Sequence, residues 1–188
     1  MADTGDVSIG TFLKYNGELV QVVEWQHRTP GNLRAFYQGK MRNVRNGKLV
    51  ENRFRSGEPV EIVYVEYKML QFIYPEDNNI VCMDKETFEQ TYIPKEMVSS
   101  GLQFLKEGMD VKVWFESDQP ISAEAPKTVE LQITYTEPGV KGDTATNTLK
   151  PATVETGAEV RVPLFINIGD IVRIDTASGD YMDRVKQQ

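Results

Sequence analysis

The chain has one histidine, His27, and one cysteine, Cys82, in 188 residues. A structural zinc site, a Cys–His pair and a Ser–His–Asp triad each need more than these two residues supply. The stretch Gly139-Val140-Lys141-Gly142-Asp143-Thr144 lacks the spacing and the following helix of a phosphate-binding loop. No metal or cofactor is therefore expected. The 28 acidic residues offer carboxylate pairs on paper, so hydrolysis by general acid–base catalysis stays as a rival reading. The groups that do cluster are cations. Between residues 26 and 57, Arg28, Arg34, Lys40, Arg42, Arg45, Lys48, Arg53 and Arg55 stand against Glu51 alone, eight minus one giving +7. Residues 64–128 carry six Lys/Arg against twelve Asp/Glu, six minus twelve giving −6, and the whole chain stands at −7. Phosphate repels such a molecule as a whole, while one end of it attracts phosphate. That pattern fits a protein that presents a single face to RNA.

The elements that must hold this face read as strands. The dipeptide Asn16-Gly17 separates Thr11–Tyr15 from Glu18–His27, and Asn46-Gly47 separates Arg34–Val44 from Lys48–Arg55. Asn-Gly is favoured in tight hairpins. Strict alternation over Arg34–Val44 places Arg34, Lys40 and Arg42 on one face, with Arg53 and Arg55 sharing a face of the next strand. Trp25, Phe36, Tyr37 and Phe54 lie among these cations. Stacking on bases is one use for them, and filling a small core is the commoner one. His27, at the mouth of the hairpin, is expected to cap a strand end. Short strands with little helical periodicity over about 60 residues indicate an SH3-like barrel.

Ser56-Gly57-Glu58-Pro59 breaks the pattern, and a boundary is expected near residue 64. Beyond it, Val60–Tyr74 is apolar-rich, Pro75–Asn79 is a turn, and Ile80–Met83 and Phe88–Ile93 are strands. One helix is expected, opening at Pro94, placing Met97, Val98, Leu102 and Leu105 at helical spacing and stopping at Gly108. Val111–Phe115 is a further strand, and Ala125-Pro126 marks a second boundary. In the last segment Val129, Leu131, Ile133 and Tyr135 alternate with polar residues as a half-buried strand. A long exposed loop is expected over Pro138–Pro151, then strands at Glu159–Phe165, Ile171–Asp175 and Tyr181–Val185. The expected fold is all-β: three small β-barrels, an SH3-like (KOW-like) one over 1–64 and two OB-type ones over 65–127 and 128–188. No run approaches the roughly 18 apolar residues of a membrane span, and Met1–Asp6 is acidic and unlike a secretory signal. With a lone cysteine, the expected setting is the cytoplasm.

Several long stretches carry a family likeness. The segment Lys150-Pro151-Ala152-Thr153-Val154-Glu155-Thr156-Gly157-Ala158-Glu159-Val160-Arg161-Val162-Pro163-Leu164-Phe165-Ile166-Asn167-Ile168-Gly169 resembles the C-terminal motif of the bacterial elongation factor P family throughout. Glu86–Gln90, Gln119–Ser122, Pro138–Thr144 and Gly179–Lys186 are similar to that family in order and spacing. The resemblance implies three barrels in an L-shaped, tRNA-like arrangement. It implies a monomer that binds both ribosomal subunits between the exit and peptidyl sites, positions peptidyl-site tRNA, and aids peptide bonds between consecutive prolines without bond chemistry of its own. It also implies that Pro30, Gly31, Asn32, Leu33 and Arg34 form the loop facing the tRNA acceptor end. Arg28, Lys40, Arg42, Arg53 and Arg55, with Tyr181 and Arg184 in the last strand, would bind RNA. Asn32 falls where the family carries a modified lysine, so the lysine-type modification is not expected here. Ser99-Ser100-Gly101 replaces the Gly-Asp-Asn loop thought to approach mRNA, and that role is not carried over. A diverged OB-type protein for single-stranded nucleic acid or oligosaccharide is the alternative.

Overall fold

The computed structural model describes residues 1–139 and 148–186. Fifteen strands form three five-stranded sheets among the described residues. In the first sheet the strands are β1 (Phe12–Tyr15), β2 (Glu18–Arg28), β3 (Phe36–Asn43), β4 (Leu49–Arg55) and β5 (Glu61–Val63), ordered β4-β3-β2-β1-β5. Asn16 and Gly17 both take positive φ, at 50° and 79°. This is the conformation that a two-residue turn needs to match the twist of its strands. The Asn46-Gly47 connection is built differently. There a four-residue loop joins Asn43 to Lys48, closed by Asn43 N donating to Lys48 O at 2.8 Å and Gly47 N donating to Asn43 O at 2.9 Å.

Leu13, Val20, Val22, Met41 and Phe54 form the core of this sheet, with Tyr15, Trp25 and Tyr37 packed on it. Trp25 and Tyr37 stack at 5.4 Å, and Phe54 lies 5.1 Å from Trp25. Three of the four aromatics among the cations are therefore core. Gly39 is what makes room for the indole: a Cβ built there would fall 2.4 Å from Trp25 Cζ3 and 2.7 Å from its Cε3. Gly39→Ala should push the ring aside and cost about 1–3 kcal/mol, as overpacking does. Thermal unfolding followed by Trp fluorescence would register both the loss and the ring's changed surroundings.

The second sheet has the order β10-β9-β6-β7-β8, from β6 (Glu66–Glu76), β7 (Asn79–Met83), β8 (Gln90–Pro94), β9 (Asp110–Glu116) and β10 (Gln119–Glu124). Strand β8 starts two residues later than the strand expected over Phe88–Ile93. Phe88 sits at φ 60° and is 70% exposed, closing a turn in which Asp84 Oδ1 accepts from the Glu86 and Thr87 amides. Ile80, Val81 and Cys82 are fully buried in β7. Burial pushes the Cys82 thiol up to about 12, so it stays protonated and inert at neutral pH.

The expected helix over 94–108 does not form. The segment instead makes two 3-10 turns, Lys95–Met97 and Leu102–Phe104, separated by extended Val98 and by Gly101 at φ 79°. Its apolar spacing serves another purpose. Phe104 is 2% exposed and sits in a core with Val129, Leu131, Ile133, Ala152, Val154, Val160, Val162, Ile166, Val172 and Ile174. Thr156 Oγ1 donates to Gln103 O at 2.8 Å, and Lys106 Nζ lies 2.9 Å from Glu155 Oε2. Burial raises the Glu155 carboxyl, but the Gln132 amide and Lys106 outweigh it and hold the group below its usual range.

The third sheet has the order β13-β12-β11-β14-β15, from β11 (Thr128–Thr136), β12 (Leu149–Val154), β13 (Glu159–Pro163), β14 (Ile171–Asp175) and β15 (Tyr181–Arg184). Strand β13 also meets β15, so the sheet curls on itself. The alternation holds over 129–133, with Val129, Leu131 and Ile133 buried, and then fails: a register shift between Ile133 and Tyr135 leaves Tyr135, expected on the buried face, 58% exposed. The expected loop over 138–151 is shorter than the sequence implied, because β12 begins at Leu149; residues 140–147 lie outside the described residues. Pro151 is tolerated inside β12 because the pairing with β11 runs only to Ala152, which leaves no demand on the missing N–H.

By backbone contacts the chain divides into two compact units, Met1–Lys68 with Val113–Ser122 and Met69–Lys112 with Ala123–Gln188.

Candidate functional site

Strands β2 and β3 are the longest pair in the first sheet, running from Val20↔Asn43 to Arg28↔Phe36 with a bulge between Val22 and Glu24. Directly opposed residues share a face, so the register sorts the cations into rows across β2, β3 and β4. The row nearest the loop is Arg28–Phe36–Arg55, the next Gln26–Gln38–Arg53, and the next Glu24–Lys40–Glu51. Phe36, unlike the three core aromatics, lies on this outer face. The Arg53 guanidinium sits over its ring at 5.0 Å, and Arg53 Nε donates to Gln38 Oε1 at 3.2 Å. Arg28 Nη2 donates to Gln26 Oε1 at 2.8 Å. These contacts fix planar guanidinium groups without neutralising them, which suits phosphate recognition.

Lys40 differs. Its ammonium lies 3.4 Å from Glu24 and 3.9 Å from Glu51. Two carboxylates flank one charge, so Lys40 adds little free positive field. Glu24 lies just outside the residues 26–57 over which the local charge was counted, and only the strand register brings it alongside.

Residues 29–35 connect β2 to β3. Leu33 N donates to Pro30 O at 3.1 Å, closing a turn at the tip. Gly31, Asn32, Leu33 and Arg34 are exposed, Leu33 to 74%. Arg34 precedes β3 and is not on its face, contrary to the alternation expected from the sequence. Its guanidinium has no partner among the described residues. Gly31 does not take a positive φ, and a Cβ there would meet nothing within 4 Å, so this turn does not depend on glycine. His27 packs against its cross-strand partner Tyr37 at 4.7 Å, a ring contact in place of the expected strand-end cap.

The loop end of β4 is tied down by the start of the chain. Thr4 Oγ1 donates to Arg55 O at 3.0 Å and accepts from Gly57 N at 2.9 Å, and Thr4 N donates to Glu58 O at 3.0 Å. Thr4 is fully buried. Nothing in a polar N-terminal segment signalled this anchoring of Arg55, because its partners are backbone groups far along the chain. A groove lined by Arg53, Arg55, Ser56, Gly57, Glu58 and Pro59 opens beside it.

The remaining expected RNA-binding residues lie elsewhere. Arg42 sits at the far end of β3, opposite Gln21 and Leu49. Tyr181 is paired with Ile174 and packs on the core of the third sheet. Arg184 lies over the Phe165 ring at 5.5 Å and 3.8 Å from Asp170, so part of its charge is already balanced.

Comparison with known proteins gives this arrangement a family. Residues 3–60 match the elongation factor P KOW-like domain, 65–123 the elongation factor P OB domain, and 129–184 the elongation factor P C-terminal domain. Elongation factor P of Chloroherpeton thalassium is 48% identical over 188 residues, covering 100% of both chains. That of Flavobacterium johnsoniae is 46% identical over 189 residues, also covering 100% of both. Among solved structures, a eukaryotic translation initiation factor 5A from Methanococcus jannaschii has a TM-score of 0.50 at 17% identity, covering 65% of this chain and 94% of that one, a likeness of fold. With all three matched segments in order along one chain, the protein belongs to the elongation factor P family and is a translation elongation factor.

Proposed function

We propose that the protein binds the ribosome between the exit and peptidyl sites, sets the Gly31–Arg34 tip against the acceptor end of peptidyl-site tRNA, and speeds peptide bonds between consecutive prolines. Proline presents a secondary amine in a rigid ring, so both its attack and its own acyl transfer tolerate few geometries. A tRNA end that wanders loses much of the orientational advantage that the ribosome supplies, and a factor that holds it restores that advantage. The protein contributes position and charge, acts as a monomer, and performs no bond chemistry.

The observation that carries this reading is the graded outer face of the hairpin. Arg28, Arg53 and Arg55 stand in two adjacent rows, and beyond them projects an exposed tip whose one cation, Arg34, has no partner among the described residues. Backbone phosphates would bind the rows, and these contacts give register without sequence preference. At the tip Asn32 offers an amide in place of an amine, so the loop works without a lysine-type addition. The test is a reconstituted translation of a message with three consecutive proline codons. Added protein should raise the rate of the second Pro–Pro bond by at least about tenfold, a barrier change of roughly 1.4 kcal/mol. The same rate with and without the protein would refute the reading.

A further inference from the structure

The exposed cations of β2, β3, β4 and their connecting loops fall into two groups, and the tip accounts for only one of them. Lys40, held between Glu24 and Glu51, forms with them an ion-paired belt across the strands in which two carboxylates outweigh one ammonium. Past the belt, at the opposite end of β3, stand Arg42, Arg45 and Lys48, all exposed. At about 3.3 Å per residue, the Arg42 row lies roughly 20 Å from the Phe36 row. None of the three charges has an ion-pair partner among the described residues.

The turn that carries them is built from within. The Asn43 side chain is buried, with 4% exposure, and its Oδ1 accepts from Arg45 N at 2.8 Å and Asn46 N at 3.1 Å. Lys48 N donates to Asn46 Oδ1 at 3.0 Å, and Val44 N donates to Leu19 O at 3.0 Å. The Asn43 amide donates to the Glu18 carboxylate, the acid that these bonds bring to the turn. A loop fixed in this way loses little further freedom on binding. Among the described residues Leu49, 52% exposed, is the one exposed large apolar side chain beside the cations, and a protein partner would want an aromatic or apolar centre. Three cations around a rigid turn fit backbone phosphates instead.

We infer that the β3–β4 turn is a second RNA-phosphate contact, engaging an RNA segment separate from the one at the tip. The inference rests on the ribosome-binding reading above, and the test separates the two. Binding to ribosomes carrying peptidyl-site tRNA would be measured over a range of potassium chloride concentrations. The proteins compared would be wild type, the R42Q/R45Q/K48Q variant, the R28Q/R53Q/R55Q variant and their combination. Removing one phosphate contact should reduce the salt slope by about 0.7–0.9, so the turn variant, which lacks three cations, should lose about 2–3 and bind at least roughly tenfold more weakly. The combined variant should lose the sum of the two. Filter binding to free tRNA identifies the source, since a loss there too marks tRNA and a loss on ribosomes alone marks ribosomal RNA; both support the proposal. Wild type that binds while the turn variant keeps its affinity and slope would overturn it, as would a photo-crosslinker placed at Asn46 labelling protein instead of RNA. R45Q alone, expected to lose about one slope step, guards against misfolding of the triple variant, and matching thermal unfolding confirms the fold. Wild type that fails to bind ribosomes at all would sink the ribosome reading itself.

Discussion

Among the described glycines, Gly101→Ala is expected to be the most destabilising substitution by alanine, costing about 2–5 kcal/mol. Two independent terms add. Gly101 has φ 79°, a left-handed conformation that costs an ordinary residue about 1–2 kcal/mol. A Cβ there would also lie 2.7 Å from Thr176 Cβ and 3.1 Å from Ala125 Cβ, a clash between short side chains that have no flexible end to yield, which adds about 1–3 kcal/mol as overpacking. The neighbourhood cannot give easily. Thr176 is 3% exposed, and its hydroxyl donates to Lys127 O at 3.1 Å and is in contact with Pro126 O. Three residues after Gly101, Phe104 is seated in the core with Leu131 and Val162. Against a typical total of about 5–15 kcal/mol, such a loss removes much of the stability of this unit. Denaturant titration should show a lowered midpoint with little change in slope. A stability within about 1 kcal/mol of wild type would mean that the 98–105 segment has somewhere else to go.

That segment also shows what the sequence could and could not disclose. Period-2 alternation at Val129, Leu131 and Ile133 and the Asn16-Gly17 turn are local signals, and local structure obeyed them. Helical spacing at Met97, Val98, Leu102 and Leu105 was local too, yet tertiary packing overrode it, because Phe104 is buried against strands that lie 25 residues and more further along the chain. Strand β12 was hidden by Pro151, which reads as a strand breaker until the end of the β11 pairing shows that its nitrogen faces no ladder. Charge was the least local property of all. The eight cations were plain in the sequence, but their division into a tip group, an ion-paired belt and a turn group depends on register, which set Glu24 and Glu51 on either side of Lys40. Tyr181 and Arg184 matched the family by position, while their contacts with the core and with Asp170 and Phe165 became visible only in the fold.

Arg34→Ala carries the largest expected functional effect, and its size follows from what the tip lacks. Among the exposed residues Gly31–Arg34, only the guanidinium can make a charge-assisted hydrogen bond; Asn32 brings a neutral amide and Leu33 a bare aliphatic chain. Such a bond is worth about 1.5–3 kcal/mol, so its loss should slow Pro–Pro bond formation by about 10- to 100-fold at saturating protein. Exposure and the absence of a partner among the described residues predict that thermal stability will stay within about 0.5 kcal/mol of wild type, which distinguishes a missing interaction with tRNA from a damaged fold. Arg34→Lys should recover part of the rate, since the charge returns without the planar fork that holds two phosphate oxygens at once. Asn32→Ala should cost much less than Arg34→Ala if the tip acts through its cation. An Arg34→Ala protein that relieves proline stalling as fully as wild type would show that Arg28, Arg53 and Arg55 suffice to position the tRNA, and that the tip only fills space.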